Sequence, residues 1–277
     1  MTYHLLSDPN GLIAHIKRVL HEGNEAAPVI PGEISDLRAA SSVLFSLGLH
    51  CPENGSKSEP CLVFNKRSAM VKQAGDLCFP GGSISLRLDS CFSKLLTLPF
   101  FPLGRWDHWS WWRRTRQQES RWLSLMLAAS LRESLEEMRL NPLGVTFLGP
   151  LPPQQLWMFK RVIYPMVGWI GRQKHFLVNW EVEKIVRIPL GSLLCEDRYA
   201  RYQLQMEMPG SAGSDRPTQD FPCFVHEHLN EREVLWGATY GMVTVFLEMV
   251  FGFKTPDITS LPVIHGLLDE QYLEGSA

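Results

Sequence analysis

Residues 131–138 read LRESLEEM. Glu133, Glu136 and Glu137 stand at i, i+3 and i+4, which is one face of a helix, and Arg132 directly precedes them. Like charges at this spacing repel, so the arrangement costs stability unless a counterion lies over it. A hard divalent cation such as Mg2+ or Mn2+ removes that cost, because it takes oxygen ligands and bridges carboxylates to phosphates. Arg132 is placed to clamp one carboxylate in a bidentate contact. The plainer reading of the same residues is a solvated acidic helix surface.

The stretch sits at the end of a helical pattern, with Trp122, Leu125, Met126, Ala129, Leu131 and Leu135 at helical spacing over 119–140. Upstream, GDLCFPGGS at 75–83 reads as a strand running into a glycine loop, where glycine permits close backbone approach to a ligand. Further upstream, 38–49 and 61–67 read as an antiparallel strand pair around a turn at 55–59. Residues 9–21 read as a helix started by Asp8-Pro9, and 23–34 as a linker. Downstream, 144–151, 159–170 and 183–190 read as strands, 218–229 as a weaker one, and 236–253 as a helix. This order predicts an α/β fold, with helices covering a mixed sheet.

Bulk composition agrees with a folded domain. The chain has 277 residues, 45% of them hydrophobic, enough for a sizeable core. A balance of 27 basic against 29 acidic residues gives no reason to expect nucleic-acid binding. The six cysteines, at 51, 61, 78, 91, 195 and 223, form no CxxC pair and are expected as reduced thiols in a cytoplasmic protein. The N-terminal MTYHLLSDPNGL shows no signal-peptide pattern, and the apolar run 236–253 is interrupted by Glu248 and short for a bilayer. No GxSxG motif suggests a serine nucleophile.

The order strand, PGG, helix, RExxEE resembles the Nudix hydrolases. The stretch KRSAMVKQAGDLCFPGG at 66–82 is similar to the coenzyme A pyrophosphatase branch of that family, through Arg67-Ser68, Lys72, Gly75 and the FPGG of 79–82. LGPLPP at 148–153, 181–194 and LWGATYGMV at 235–243 resemble that branch too. The resemblance implies a Nudix-type α/β/α sandwich with a mixed sheet over 37–255. It is preceded by an N-terminal helix and linker over 1–36 and followed by a surface tail over 256–277. It also implies a metal-dependent pyrophosphohydrolase that cleaves coenzyme A or acyl-coenzyme A to 3',5'-ADP and a 4'-phosphopantetheine. Glu133, Glu136, Glu137 and Arg132 would be catalytic. The three glutamates would hold Mg2+ or Mn2+, with Glu133 alternatively the general base and the Gly81 carbonyl a further ligand. Arg67, Lys72, Gly81 and Gly82 would bind substrate. The alternatives are a Nudix hydrolase of another nucleoside diphosphate derivative, such as ADP-ribose or NADH, and a non-catalytic binding module of the same fold.

The chain departs from the family pattern in three places. The acid that normally lies upstream of the arginine has no counterpart at Leu123 and Ser124, and Glu119 lies too far away. Arg139 replaces the glycine after the paired acids, which predicts a helix continuing to Asn141. Residues 83–121 form an insertion where the family has a short loop. Trp106, Trp109, Trp111, Trp112 and Trp122 lie in or just after it, interleaved with Arg105, Arg113, Arg114, Arg116 and Arg121. Packing with arginines over indoles, or self-association as a homodimer, is the first expectation for the insertion. A lid over the site ranks second and membrane contact last.

Three further candidates remain. His226 and His228 would share a strand face near Glu231 and Glu233, as a polar surface strand or a metal pair. Glu181 or Glu183 would assist the site or be an ordinary surface acid. Lys66, with Arg67 and Lys72, would neutralise phosphates.

Overall fold

The computed structural model describes residues 2–32, 34, 36–50, 57–156, 161–206, 218–228, 231–268 and 272. The chain opens with a short helix α1 (Thr2–Ser7) and a longer helix α2 (Pro9–Ala26). Asp8 caps α2 by accepting from the Asn10 N–H at 3.1 Å, with Pro9 in the first turn. α2 buries Leu12, Ile16, Leu20 and Asn24, one side chain per turn, and runs five residues past the expected end. Buried Asn24 explains part of the extension: its side-chain amide donates to Leu20 O at 2.6 Å and to Pro150 O at 3.2 Å, tying the last turn to the sheet.

The strands β1 (Ala40–His50), β2 (Glu59–Arg67), β3 (Leu77–Cys78) and β4 (Gly81–Ser83) follow. The insertion supplies α3 (Leu86–Leu96) and α4 (Trp109–Thr115) and leads into α5 (Gln117–Met138), the helix of the acidic motif. Next come β5 (Val145–Pro150), β6 (Gln154–Leu156), β7 (Arg161–Ile170) and β8 (Val182–Pro189), then a single-turn helix α6 (Leu190–Leu193). The chain continues through β9 (Tyr199–Met206), β10 (Thr218–His228), β11 (Glu231–Leu235), α7 (Gly237–Phe251) and β12 (Val263–Leu268). No helix among the described residues is long and apolar enough to cross a membrane.

The main sheet is mixed. β2 and β4 run antiparallel to β1, β7 runs parallel to it, and β8 lies against β2. Alternation along the strands builds two cores. Val43, Phe45, Leu47, Leu62 and Phe64 face α2 and α7, whereas Leu44, Cys61 and Val63 face α5 and the insertion. The result is the expected mixed α/β architecture, a sheet between two helical layers.

The insertion packs. Trp106 and Trp112 are buried, Trp106 meets Phe147 edge-on at 4.9 Å, and Arg116 lies over the rings of Trp111 and Trp112. Arg105 donates to the carbonyls of Leu143 and Val145, fastening the insertion to the start of β5.

Four expectations are corrected. The Gly81-Gly82 pair is part of strand β4, paired with Val43 and Ser42, rather than a free loop. α5 ends at Met138: Arg139 adopts the left-handed conformation itself, φ 54, while its N–H donates to Leu135 O. Residues 256–277 are not simply a surface tail, because β12 pairs in parallel with β9. β9 and β12 join β10 and β11 in a second four-stranded sheet, of which only β10 was expected. Of the expected elements, residues 33, 55–56, 159–160, 229, 269–271 and 273–277 lie outside the described residues.

Candidate active site

Burial sorts the three glutamates of α5. The buried side of α5 is mostly apolar, broken by Ser120, Ser130, Ser134 and Glu137, and Glu137 meets Gly81 of β4 and Asn65 of β2. Glu137 points inward and is buried, Glu133 is half-buried, and Glu136 faces solvent.

Arg132 organises the outer part. Its Nη1 donates to Glu133 Oε1 at 2.9 Å and reaches both Glu136 oxygens at 3.4 Å, and its Nη2 donates to Ser83 O at 3.1 Å. Its strongest contact is one that motif reading missed. Arg132 Nε donates to Asp89 Oδ1 at 2.8 Å, and Nη2 reaches Oδ2 at 3.3 Å. Asp89 lies fully buried on α3 and also accepts from Ser85 N at 2.7 Å. Asp89 thus meets Arg132 from the first helix of the insertion, whereas Leu123 is a core residue. The Asp89 contact is the largest cause holding the guanidinium well above its ordinary pKa.

Glu137 has a different environment. Its Oε2 accepts from Asn65 Nδ2 at 2.6 Å and its Oε1 from Gly81 N at 3.4 Å. Among the described residues no lysine or arginine pairs with it. Burial pushes its carboxyl up to about 8, against those two hydrogen bonds, and the charges of Glu133 and Glu181 push in the same direction. Burial also raises Glu133, with Arg132 opposing.

The glycines set the separation between sheet and helix. A Cβ on Gly82 would stand 2.6 Å from Glu133 Oε1, and one on Gly81 would stand 2.6 Å from Val43 Cα. Neither residue needs a positive φ; a side chain on Gly81 would meet the backbone of β1, and one on Gly82 the Glu133 carboxylate.

Arg67 ends β2 two residues beyond Asn65. It donates from Nε to Lys72 O at 2.7 Å, and the loop closes through Arg67 N to Asp76 O and Gly75 N to Arg67 O. Gly75 takes φ 81 there. Lys72 is exposed at the tip. The 171–181 segment borders this loop: Asn179 N donates to Glu137 O, Ser68 Oγ to Trp180 O, and Ser68 N to Glu181 O. Trp180 is 63% exposed. Cys78 is no candidate nucleophile, since burial pushes its thiol up to about 12.

No known family profile and no curated protein matches the sequence. Among solved structures, the chain is similar to a Nudix hydrolase from M. smegmatis (12% identity, 56% of this chain and 73% of that one, TM-score 0.33). It is also similar to a C. elegans Ap4A hydrolase in a binary complex (10% identity, 55% and 80%, TM-score 0.32). A third similarity is to the NUDIX domain of Shewanella oneidensis NrtR complexed with ADP ribose (11% identity, 62% and 86%, TM-score 0.33).

Among the described residues, no three His, Cys, Asp or Glu side chains are grouped so as to hold a metal by themselves. Arg132 ties Glu133 to Glu136, while Glu137 faces Asn65 and Gly81. The donor chemistry nonetheless fits a hard cation of partial protein ligation. It consists of oxygens and includes, among the described residues, a buried carboxylate with no cationic partner beside Asn65, whose buried Oδ1 also lacks a partner. Mg2+ is commonly held by one or two carboxylates, with water and phosphate oxygens completing its shell.

Of the remaining candidates, Glu181 lies near enough to act on Glu137, whereas Glu183 pairs with Lys66 at 3.5 Å. Lys66 alternates with Asn65 along β2, so it points to the other face of the sheet, where Glu233 also meets it. His226 and His228 do share a face of β10, their rings stacked 6.2 Å apart. With His50, Glu231 and Glu233 they line a pocket of about 180 Å³ on that other side.

Proposed function

We propose that the chain is a metal-dependent Nudix-type pyrophosphohydrolase that acts on the diphosphate of coenzyme A or an acyl-coenzyme A. The observation that carries this reading is the environment of Glu137: a buried carboxylate with no cation on it among the described residues, set against the Gly81 N–H and Asn65 and close to Glu133. A carboxylate is costly to bury unpaired, and a divalent ion with a diphosphate over it accounts for the arrangement.

Glu137 would hold the ion, with Glu136 joining from the solvent side, and Glu133 would act as the general base. When bound, the ion supplies positive charge to the diphosphate and makes water more acidic. The chain supplies the rest. Arg132, anchored by Asp89, fixes Glu133 through Oε1 and leaves Oε2 to take a proton. Water oxygen then bonds to one phosphorus as the bridging P–O bond breaks, and the proton of that water passes to Glu133. The products are 3',5'-ADP and a 4'-phosphopantetheine. Arg67 and Lys72 would meet the phosphate oxygens, and the exposed indole of Trp180 offers the adenine a stacking face.

The test is incubation with Mg2+ or Mn2+ and coenzyme A, an acyl-coenzyme A, NADH or ADP-ribose, with products identified by mass. Release of 3',5'-ADP, abolished in Glu137→Gln, supports the reading. Cleavage confined to NADH or ADP-ribose keeps the chemistry and replaces the substrate. Absence of metal-dependent turnover on all four overturns both.

A further inference from the structure

The insertion closes one face of the core, yet α3 turns an unusual surface outward. Its inner side carries Asp89 and Leu96, both fully buried. Its outer side carries Leu88, Cys91 and Leu95, exposed and spaced i, i+3, i+7 along one stripe. Arg87 and Lys94, themselves seven apart and exposed, run beside that stripe. The chain then turns, with Leu98 N donating to Leu95 O at 3.0 Å, and presents Leu98 and Phe100; Phe100 is 81% exposed.

Charge on this segment is of one sign. Between residues 84 and 106 the only acid is Asp89, which is buried and held by Arg132. Exposed charge there comes from Arg87, Lys94 and Arg105, on a chain whose formal net charge is -2. Packing the same face of a second copy against it would set basic side chains against basic side chains, with no exposed acid in the segment to pair them. An apolar stripe flanked by lysine and arginine is the pattern of a helix lying in a membrane interface.

We propose that the outer face of α3 and the 97–100 turn dock onto an anionic lipid surface. Leu88, Leu95, Leu98 and Phe100 enter the boundary between headgroups and acyl chains, while Arg87 and Lys94 meet headgroup phosphates. Asp89 points the other way, so docking leaves its contact with Arg132 in place.

The experiment is flotation of the full chain with two kinds of vesicle: phosphatidylcholine alone, and phosphatidylcholine with about one part in three phosphatidylglycerol. The wild type is expected to float with the anionic vesicles only, and less at high salt. The triple variant L88S/L95S/F100S is expected to stay behind. R87E/K94E is expected to bind at least about tenfold more weakly. All these side chains are exposed, so both variants should keep the wild-type circular dichroism and unfolding temperature. Failure of the wild type to float, equal flotation with neutral vesicles, or unchanged flotation of both folded variants would each overturn the proposal. So would a concentration-dependent dimer, lost in the triple variant, that forms without vesicle binding.

Discussion

Arg132 and Asp89 meet across 43 residues of chain, at 2.8 Å, with the tryptophan-rich part of the insertion folded between them. Asp89 is fully buried and the Arg132 side chain is mostly so. The pair pins α3 to α5, and it holds the guanidinium from which Glu133 and Glu136 take their positions. Neutralising Asp89 removes the charged partner on the buried side of Arg132, which keeps Glu133 and Glu136, so the cost is about 1–3 kcal/mol. Asp89→Asn is therefore expected to lower stability by about that amount in urea unfolding and to cut turnover. Glu119→Ala, half-buried in the first turn of α5 and in no ion pair among the described residues, should change stability by less than about 0.5 kcal/mol. Equal effects from the two would remove Asp89 from the site.

A pH dependence follows from Glu137. Its folded pKa, about 8, lies above the ordinary carboxylate value of 4.5, with burial the main cause. The folded chain therefore holds a proton there that the unfolded chain has released, and stability falls as pH rises from about 4.5 to about 8. Glu137→Gln removes this loss, so metal-free Glu137→Gln should melt above the wild type at pH 8 and close to it at pH 4.5. Mg2+ should raise the wild-type melting temperature at pH 8 and leave the variant unmoved. A variant with the wild-type pH profile would show that Glu137 does not titrate in this range.

The two adjacent glycines should fail in different ways. The Cβ of Gly81→Ala would meet the backbone of β1 at Val43, which cannot yield without disturbing the sheet. A loss of about 1–3 kcal/mol of stability is expected. The Cβ of Gly82→Ala would meet the Glu133 carboxylate, a side chain able to swing away. There the fold should survive, and kcat should fall about a hundredfold because Glu133 is displaced. Unfolding curves and single-substrate kinetics on both variants separate the two effects. A Gly82→Ala variant with wild-type kcat would show that Glu133 need not sit where it does.

The parts of this molecule written in local periodicity were legible in the sequence. β1, β2 and β7 alternate or run apolar, and α5 repeats its core residues every three or four positions. Of the candidate site, the sequence shows the residues of α5 and the FPGG stretch, which the fold brings together at Gly81 and Glu137. Asp89 was not legible, because its pairing with Arg132 is a tertiary contact and Asp89 appears alone among apolar and polar residues of the insertion. Asn65 was hidden for the same reason: nothing along β2 marks which strand residue will face a glutamate 72 positions later. Arg139 was misread because left-handed backbone favours glycine, yet here arginine adopts it at the helix end. β9 and β12 were missed because the first, YARYQLQM, mixes polar and aromatic residues, and the second is held by parallel pairing to it.

Trp180 gives the sharpest separation of binding from chemistry. It stands beside Ser68 and Glu181, on the loop bordering Arg67, and most of its indole faces solvent. Little core contact depends on it, so Trp180→Ala should unfold like the wild type. Stacking of a base on an aromatic ring is worth about 1–3 kcal/mol, so KM for the adenine-bearing substrate should rise about tenfold. kcat should stay near wild type, since the ring touches neither water nor the bridging oxygen. A substrate lacking the adenine, such as a simple diphosphate diester, should be cleaved equally by both proteins. A KM rise on both substrates would place Trp180 in loop positioning, and a fall in kcat alone would move it toward the carboxylates.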